Sequence, residues 1–198
     1  VNLTFDEPSH TYTLDGQRVP SVTQILGTVF PREWEQVERW GDGEYVKERG
    51  RQVHKACAYI AKGIEFDCDE RIQGRVNGCR LWFADMRPDV IEVETPICHP
   101  LLRYAGTPDL VAIVQGKTVL VDYKACLSPV ALQLAAYWGC LTAAGSKIDE
   151  AYPLQLLDDG KYKVGKTVNL KNAWRYWLNV LGTYRYMEEN GMVKEVEK

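Results

Sequence analysis

The chain has 198 residues, is 45% hydrophobic and 26% charged, and carries a formal net charge of −3. That is enough apolar material for one well-packed domain and too little length for two independent ones. No apolar run approaches the roughly 18 residues of a membrane span and no basic-then-apolar signal pattern opens the chain, so a soluble, cytoplasmic protein is expected. The acidic balance excludes a protein that coats nucleic acid through global charge, leaving a local basic face as the only route to such a partner.

In chain order, residues 10–20 read as a hairpin on the Asp15-Gly16 turn, and Ser21-Val-Thr-Gln24 is a capping-box start for a short helix. A long helical stretch follows. It is interrupted at Gly41-Asp42-Gly43, resumes through Tyr45, Val46, Val53, Ala56, Ala58, Tyr59 and Ile60, and is ended by Gly63. Over residues 69–86, Ile72, Val76, Cys79, Leu81, Trp82 and Phe83 recur at helical spacing until Arg87-Pro88 stops the run. Three β-branched strands are predicted over residues 91–97, 104–114 and 118–125. An apolar helix over 130–144 follows Ser128-Pro129. A strand pair over 152–157 and 161–165 comes next, and Leu170, Ala173, Trp174, Trp177, Leu178, Leu181 and Tyr184 give a C-terminal amphipathic helix. The expected organisation is a single domain over 1–198, with a hairpin and helical arm in 1–63, a core in 64–168 and a final helix in 169–198. The order helix, three strands, helix, strand is an α/β core with an antiparallel hairpin and a crossover.

The chemistry concentrates between Gly106 and Lys124. If Val114 and Lys117 flank a two-residue turn at Gln115-Gly116, Asp109 lies across from Asp122 with Cα atoms roughly 4.5–5.5 Å apart. Both carboxylates cap strands that are apolar on both faces, with Val111, Ile113 and Leu120 on one and Leu110, Ala112, Val114, Val119 and Val121 on the other. Facing like charges near a core need a compensating cation, and hard oxygen ligands suit Mg²⁺ or Mn²⁺. Lys124 shares the face of Asp122 and can hold an attacking water or offset charge on a phosphate oxygen. The bland reading is a surface hairpin end with a salt bridge from Lys124. A second Asp-x-Lys, Asp159-Gly160-Lys161, sits in a turn and has no such setting.

These motifs resemble those of the PD-(D/E)XK nuclease superfamily, in its RecB-like, phage-type exonuclease branch. The Gly-x-x-Asp motif is similar to Gly106-Thr-Pro-Asp109, the Asp-x-Lys to Asp122-Tyr-Lys124, the Gln-x-x-x-Tyr helix to Gln133-Leu-Ala-Ala-Tyr137, and the upstream histidine to His54. The opening from Tyr12 to Leu26 is also similar to phage and prophage members, so the resemblance covers most of the chain. It implies a restriction-endonuclease-like core and DNA as substrate, and water attack on the phosphodiester leaving 5′-phosphates. It also implies one or two Mg²⁺ or Mn²⁺ ions held by His54, Asp109, Asp122 and the backbone carbonyl of Tyr123. Gln133 and Tyr137 join Asp109, Asp122 and Lys124 as implied catalytic residues, and Glu94 is a supporting acid behind the ligands or a solvated strand residue. On its own, His54 beside Val53 and Ala56 would read as a half-buried structural histidine. A bacterial or phage-infected cytoplasm and a recombination or repair role are implied as well, with a single-strand annealing or recombination protein as an open partner.

The six cysteines, 57, 68, 79, 98, 126 and 140, form no Cys-x-x-Cys pair, and none follows Cys140, so no iron–sulfur cluster is expected. Arg49, Arg51, Lys55 and Lys62 around His54, and Lys161, Lys163 and Lys166 near the last hairpin, are the candidate phosphate contacts. Beyond the core the chain offers an arm and one helix, little surface for base readout, so cleavage from DNA ends is expected. Two alternatives stand beside this: a catalytically silent or structure-specific nuclease-fold DNA-binding protein, and a P-loop nucleotide-binding protein. The second rests on Gly160-Lys-Tyr-Lys-Val-Gly165-Lys166-Thr167, in which Lys-Tyr-Lys-Val alternates like a strand and too little chain follows for a metal-binding Asp strand.

Overall fold

The structure is a computed structural model that describes residues 1–31, 43–124 and 130–193. The predicted break at Gly41-Asp42, the helix start at Ser128-Pro129 and Cys126 lie outside the described residues. A three-stranded antiparallel sheet opens the chain, with β1 (Leu3–Asp6), β2 (Thr11–Leu14) and β3 (Gln17–Val19) in that order. The predicted hairpin is therefore two-thirds of a sheet, because Leu3-Thr-Phe-Asp6 adds a strand whose Phe5 pairs with Tyr12. Ser21 caps α1 (Val22–Val29) by accepting from the Gln24 N–H at 3.0 Å, as the capping-box pattern predicts. Next come α2 (Gly43–Ala61) and α3 (Gln73–Met86), the latter ended by Arg87 in a left-handed conformation.

The main sheet is built from β4 (Asp89–Val93), β7 (Leu110–Val114), β8 (Lys117–Lys124), β9 (Glu150–Leu156) and β10 (Tyr162–Val164), in the order β10-β9-β8-β7-β4. All pairs are antiparallel except β8 and β9, which are parallel because α4 (Ala131–Ala143) crosses between them. The C-terminal helix is α5 (Leu170–Glu189), capped by Asn169. The alternating parity of the strands fills both faces. Val111, Leu120 and Ala151 pack under α1, α4 and α5, whereas Leu110, Ala112, Val114, Val119, Val121 and Leu154 pack under α2 and α3. This is the expected α/β core, a mixed five-stranded sheet with helices on both sides. Of the residues assigned to these faces from sequence, Ile113 departs, remaining 37% exposed near the turn end of the hairpin.

Two predicted strands are each broken in two. Residues 91–97 divide between β4 and β5 (Ile97–His99), because Glu94 takes a positive φ of 50° and ends the ladder. Glu94 therefore does not alternate on a strand. Residues 104–114 divide between β6 (Tyr104–Gly106) and β7, because Thr107-Pro108-Asp109 carries the chain from the small β5–β6 sheet to the main one. The P-loop reading is corrected here, since Tyr162–Val164 is hydrogen-bonded into the sheet against Leu156 to Leu154 and forms no cradle.

Candidate active site

The Gln115-Gly116 turn has φ of 49° and 78°, the left-handed pair that a two-residue hairpin needs. It sets Val114 against Lys117 and Leu110 against Val121, so the same register puts Asp109 opposite Asp122. On the other side of β7, Val93 pairs with Leu110, and the Glu94 N–H donates to the Asp109 carbonyl at 3.2 Å. Three carboxylates thus stand at one level across three neighbouring strands. His54 reaches the same end of the sheet from α2, whose Val53, Ala56 and Cys57 are packed in the core.

The ligand atoms of His54, Glu94 and Asp109 lie within 4.8 Å of one another. Asp109 is 7% exposed and uses both oxygens, Oδ1 meeting His54 Nδ1 at 2.9 Å and Oδ2 accepting from the Tyr123 N–H at 2.6 Å. Asp122 is 1% exposed; Lys124 Nζ stands 2.9 Å from its Oδ2, but no aligned hydrogen bond reaches that oxygen. The ammonium offsets the charge of that oxygen without a well-aligned hydrogen bond, so the carboxylate keeps lone pairs for a further cation. Lys124 also donates to Gln133 Oε1 at 3.3 Å, and Gln133 Nε2 donates to the Tyr137 hydroxyl at 3.2 Å. The Tyr137 ring lies over Gly106, where a Cβ would come within 2.6 Å of its Cε1 atom. The glycine of Gly106-Thr-Pro-Asp109 is thereby accounted for by close packing rather than by backbone conformation.

The electrostatics follow from crowding acids in a dry site. Burial, with repulsion from Asp109 added, raises Glu94 to about 7 against the pull of His54 and Lys62. Burial also raises Asp122 to about 6, opposed by the Lys124 charge and reinforced by Asp109. Burial alone would lift Asp109, but the His54 charge and hydrogen bond, with Lys124 and the Tyr123 N–H, bring it below its ordinary value. Burial would depress His54, and its two contacts with Asp109 override that and raise it to about 9. Such a set of acids pushed apart in proton affinity, beside a histidine and a lysine, suits a divalent ion: hard oxygens and one imidazole, with a negative field to hold it.

The sequence-predicted residues His54, Asp109, Asp122, Lys124, Gln133 and Tyr137 are all brought to this end of the sheet, and the Tyr123 N–H contributes directly. Glu94 stands among the ligand atoms themselves. The basic candidates scatter. Arg49 is engaged with Asp158 at 2.6 Å and with the Arg71 carbonyl, so its guanidinium braces α2 against the β9–β10 turn. Arg51 pairs with Glu48 one turn back, Lys55 lies over the Tyr59 ring, and Lys62 is close enough to act on Glu94. Lys161 pairs with Asp159 at 3.3 Å, and Lys163 and Lys166 are exposed. Lys163 pairs with Gln155 and Gln155 with Lys124, placing all three at one level of the sheet. Sequence reasoning missed Thr107 and Tyr12. The Tyr12 hydroxyl meets Thr107 Oγ1 at 2.8 Å, pinning the segment that presents Asp109. A buried tyrosine on a short strand was the available signal.

The five cysteines among the described residues are free thiols. No described helix is long and apolar enough to cross a membrane.

The sheet order and the residues gathered at its end are those that a resemblance to the PD-(D/E)XK nuclease superfamily implies. Among characterised proteins, the chain is similar to the mitochondrial genome maintenance exonuclease 1 of Mus musculus, 26% identical over 215 residues and 89% of this chain, and to that of Xenopus tropicalis, 26% identical over 220 residues and 92% of this chain. It spans 62% and 61% of the lengths of those relatives. Among solved structures, an alkaline exonuclease from Laribacter hongkongensis overlaps at a TM-score of 0.39 and 12% identity, covering 86% of this chain and 92% of that one. No family model matches the chain.

Proposed function

We propose that this protein is a Mg²⁺- or Mn²⁺-dependent deoxyribonuclease of the RecB-like branch that degrades DNA from its ends in phage or prophage recombination or repair. The observation that carries the reading is the convergence of His54, Glu94 and Asp109 within 4.8 Å, beside a buried Asp122 oxygen that lacks an aligned donor. The names of the similar exonucleases support the choice of DNA and of attack from ends. His54, Glu94, Asp109 and Asp122, with the Tyr123 carbonyl, would hold the ion, which when bound makes water a better nucleophile at neutral pH and neutralises phosphate charge.

The chain's own residues do the remainder. Asp109 is fixed by the Tyr123 N–H and His54, so its free lone pairs are aimed rather than mobile. Lys124, held between Asp122 and Gln133, places its ammonium where a water or a phosphate oxygen would sit. The water oxygen bonds to phosphorus, the bond from phosphorus to the 3′ oxygen breaks, and the products are a 5′-phosphate and a 3′-hydroxyl. Arg51, on the His54 helix, and Lys62, in the turn just past its end, are the basic groups best placed to meet flanking phosphates. A catalytically silent DNA-binding role gives no physical reason to keep three carboxylates at one level without a cation.

End-labelled linear DNA, single- and double-stranded, and a covalently closed plasmid would be incubated with Mg²⁺, Mn²⁺ or EDTA. Progressive loss of the linear substrates in metal alone, with the circle surviving, is the expected result. Discrete fragments from the closed circle, with linear DNA cut no faster, would overturn the exonuclease reading.

A further inference from the structure

We infer that the N-terminal sheet carries a nucleobase-stacking platform made by His10 and Phe5, which receives a base of the substrate strand beside the candidate active site. The inference rests on the nuclease reading and adds a binding subsite to it.

The rings form an ordered set. Phe5 stacks on Tyr12 with centroids 4.5 Å apart, and His10 stands edge-on to both, at 5.3 Å from Phe5 and 5.6 Å from Tyr12. Tyr12 is buried, Phe5 half-buried and His10 exposed, so the set presents an aromatic surface outward from a packed base. The turn that aims His10 is built for the purpose: Asp6 Oδ2 accepts from the Ser9 N–H at 3.0 Å and from its hydroxyl, the His10 N–H donates to the Glu7 carbonyl at 3.2 Å, and His10 takes a φ of 49°. A residue with a Cβ adopts that conformation at a cost.

Placement ties the rings to the chemistry. Tyr12 is bonded to Thr107, two residues before Asp109, and on the far side Arg51 is close enough for its charge to add to burial in lowering the His10 proton affinity. Arg51 lies on α2 three residues before His54, one helical turn away and hence on a neighbouring part of the same face. The surface therefore offers, in order, the exposed His10 ring braced by the Phe5–Tyr12 stack, a guanidinium and the carboxylate cluster. Base, phosphate and scissile phosphate of a single strand present that alternation of π-face and negative charge, and stacking of this kind is indifferent to base identity.

Initial rates with short single-stranded oligonucleotides in Mn²⁺ test the platform, comparing intact DNA with a series carrying one abasic site at each terminal position. In the wild type, one abasic position should raise KM about ten-fold, the size of one lost base–aromatic stack. His10→Ala should raise KM for intact DNA by a similar factor with kcat at saturation unchanged, and should suffer no further loss at that abasic position. His10→Trp should restore both KM and the abasic penalty, and Phe5→Leu should give an intermediate KM. A thermal melt of each variant separates loss of the platform from loss of the sheet. His10→Ala with wild-type KM, or with an abasic penalty that adds independently to its own, overturns the platform and leaves the nuclease reading standing. A wild type that cleaves nothing overturns both.

Discussion

Lys124 Nζ donates to Gln133 Oε1 at 3.3 Å and so ties the last residue of β8 to the first turn of α4. The same glutamine donates to Tyr137, whose ring fills the space above Gly106. Three motifs far apart in sequence become one chain of contacts, running from the lysine to the turn that presents Asp109. Gln133→Ala should therefore leave metal affinity intact and lower kcat by about 100-fold, the cost of a reacting group misplaced by roughly 1 Å. Single-turnover cleavage at saturating Mn²⁺ measures it, and an unchanged rate would reduce Gln133 to a packing residue.

Lys124→Ala should be the more severe change. The ammonium acts where charge develops on phosphate, so turnover should fall by about a thousand-fold or more while Mn²⁺ and DNA still bind. Gel-shift and calorimetric binding beside the cleavage assay separate the two effects. Substantial turnover would assign the work to another cation.

Gly106→Ala tests the packing link without touching a titratable group. A Cβ would lie 2.6 Å from Tyr137 Cε1 and 3.2 Å from Val22 Cγ2, both on buried side chains. Overpacking of this kind costs about 1–3 kcal/mol, which lowers the melting temperature of a chain this size by very roughly 2–12 °C. Activity should fall further than stability, because Tyr137 is the atom-bearing neighbour of Gln133. Calorimetric melting and cleavage rates on the same sample make the comparison.

How much of this was legible in the sequence depended on the range of the interactions. The register that opposes Asp109 and Asp122 follows from one turn, Gln115-Gly116, and from strict alternation along two short strands, all local information. The assignment of opposite faces to Val111 and Leu110 follows from the same parity. The breaks at Glu94 and at Thr107-Pro108-Asp109 had partial signals in Pro96, Gly106 and Pro108, which the reading of continuous strands passed over, whereas a positive φ at glutamate has no propensity signal. The role of Arg49 as a brace to Asp158, 109 residues away, depends on tertiary contacts alone.

The pH dependence of the metal-free protein follows from the signs of three groups. His54 is raised to about 9, Glu94 to about 7 and Asp122 to about 6, each above its ordinary value. A raised folded-state value means the native state holds its proton more tightly, so the stabilisation is present at low pH and is lost as pH rises through the folded value. Between about pH 5 and 9 the protein in EDTA should therefore become less stable, with Asp109, which is lowered, acting only in acid. Saturating Mn²⁺ should reverse the trend, since deprotonated ligands bind it and add stability with rising pH. Melting curves across that range with and without metal give the comparison. A metal-free melting temperature that rises from pH 5 to 9 would contradict the assignment of these groups to one site.

The central claim, that the facing carboxylates form a divalent-ion site, is tested most directly by calorimetric titration of Mn²⁺ into the wild type, Asp109→Asn and Asp122→Asn. Each substitution removes one ligand charge, so both variants should lose most of the binding heat. Asp122→Asn relieves a like-charge pair and should fold at least as stably as the wild type, whereas Asp109→Asn leaves His54 without its ion pair and should be less stable. Isotherms in both variants that match the wild type would contradict it.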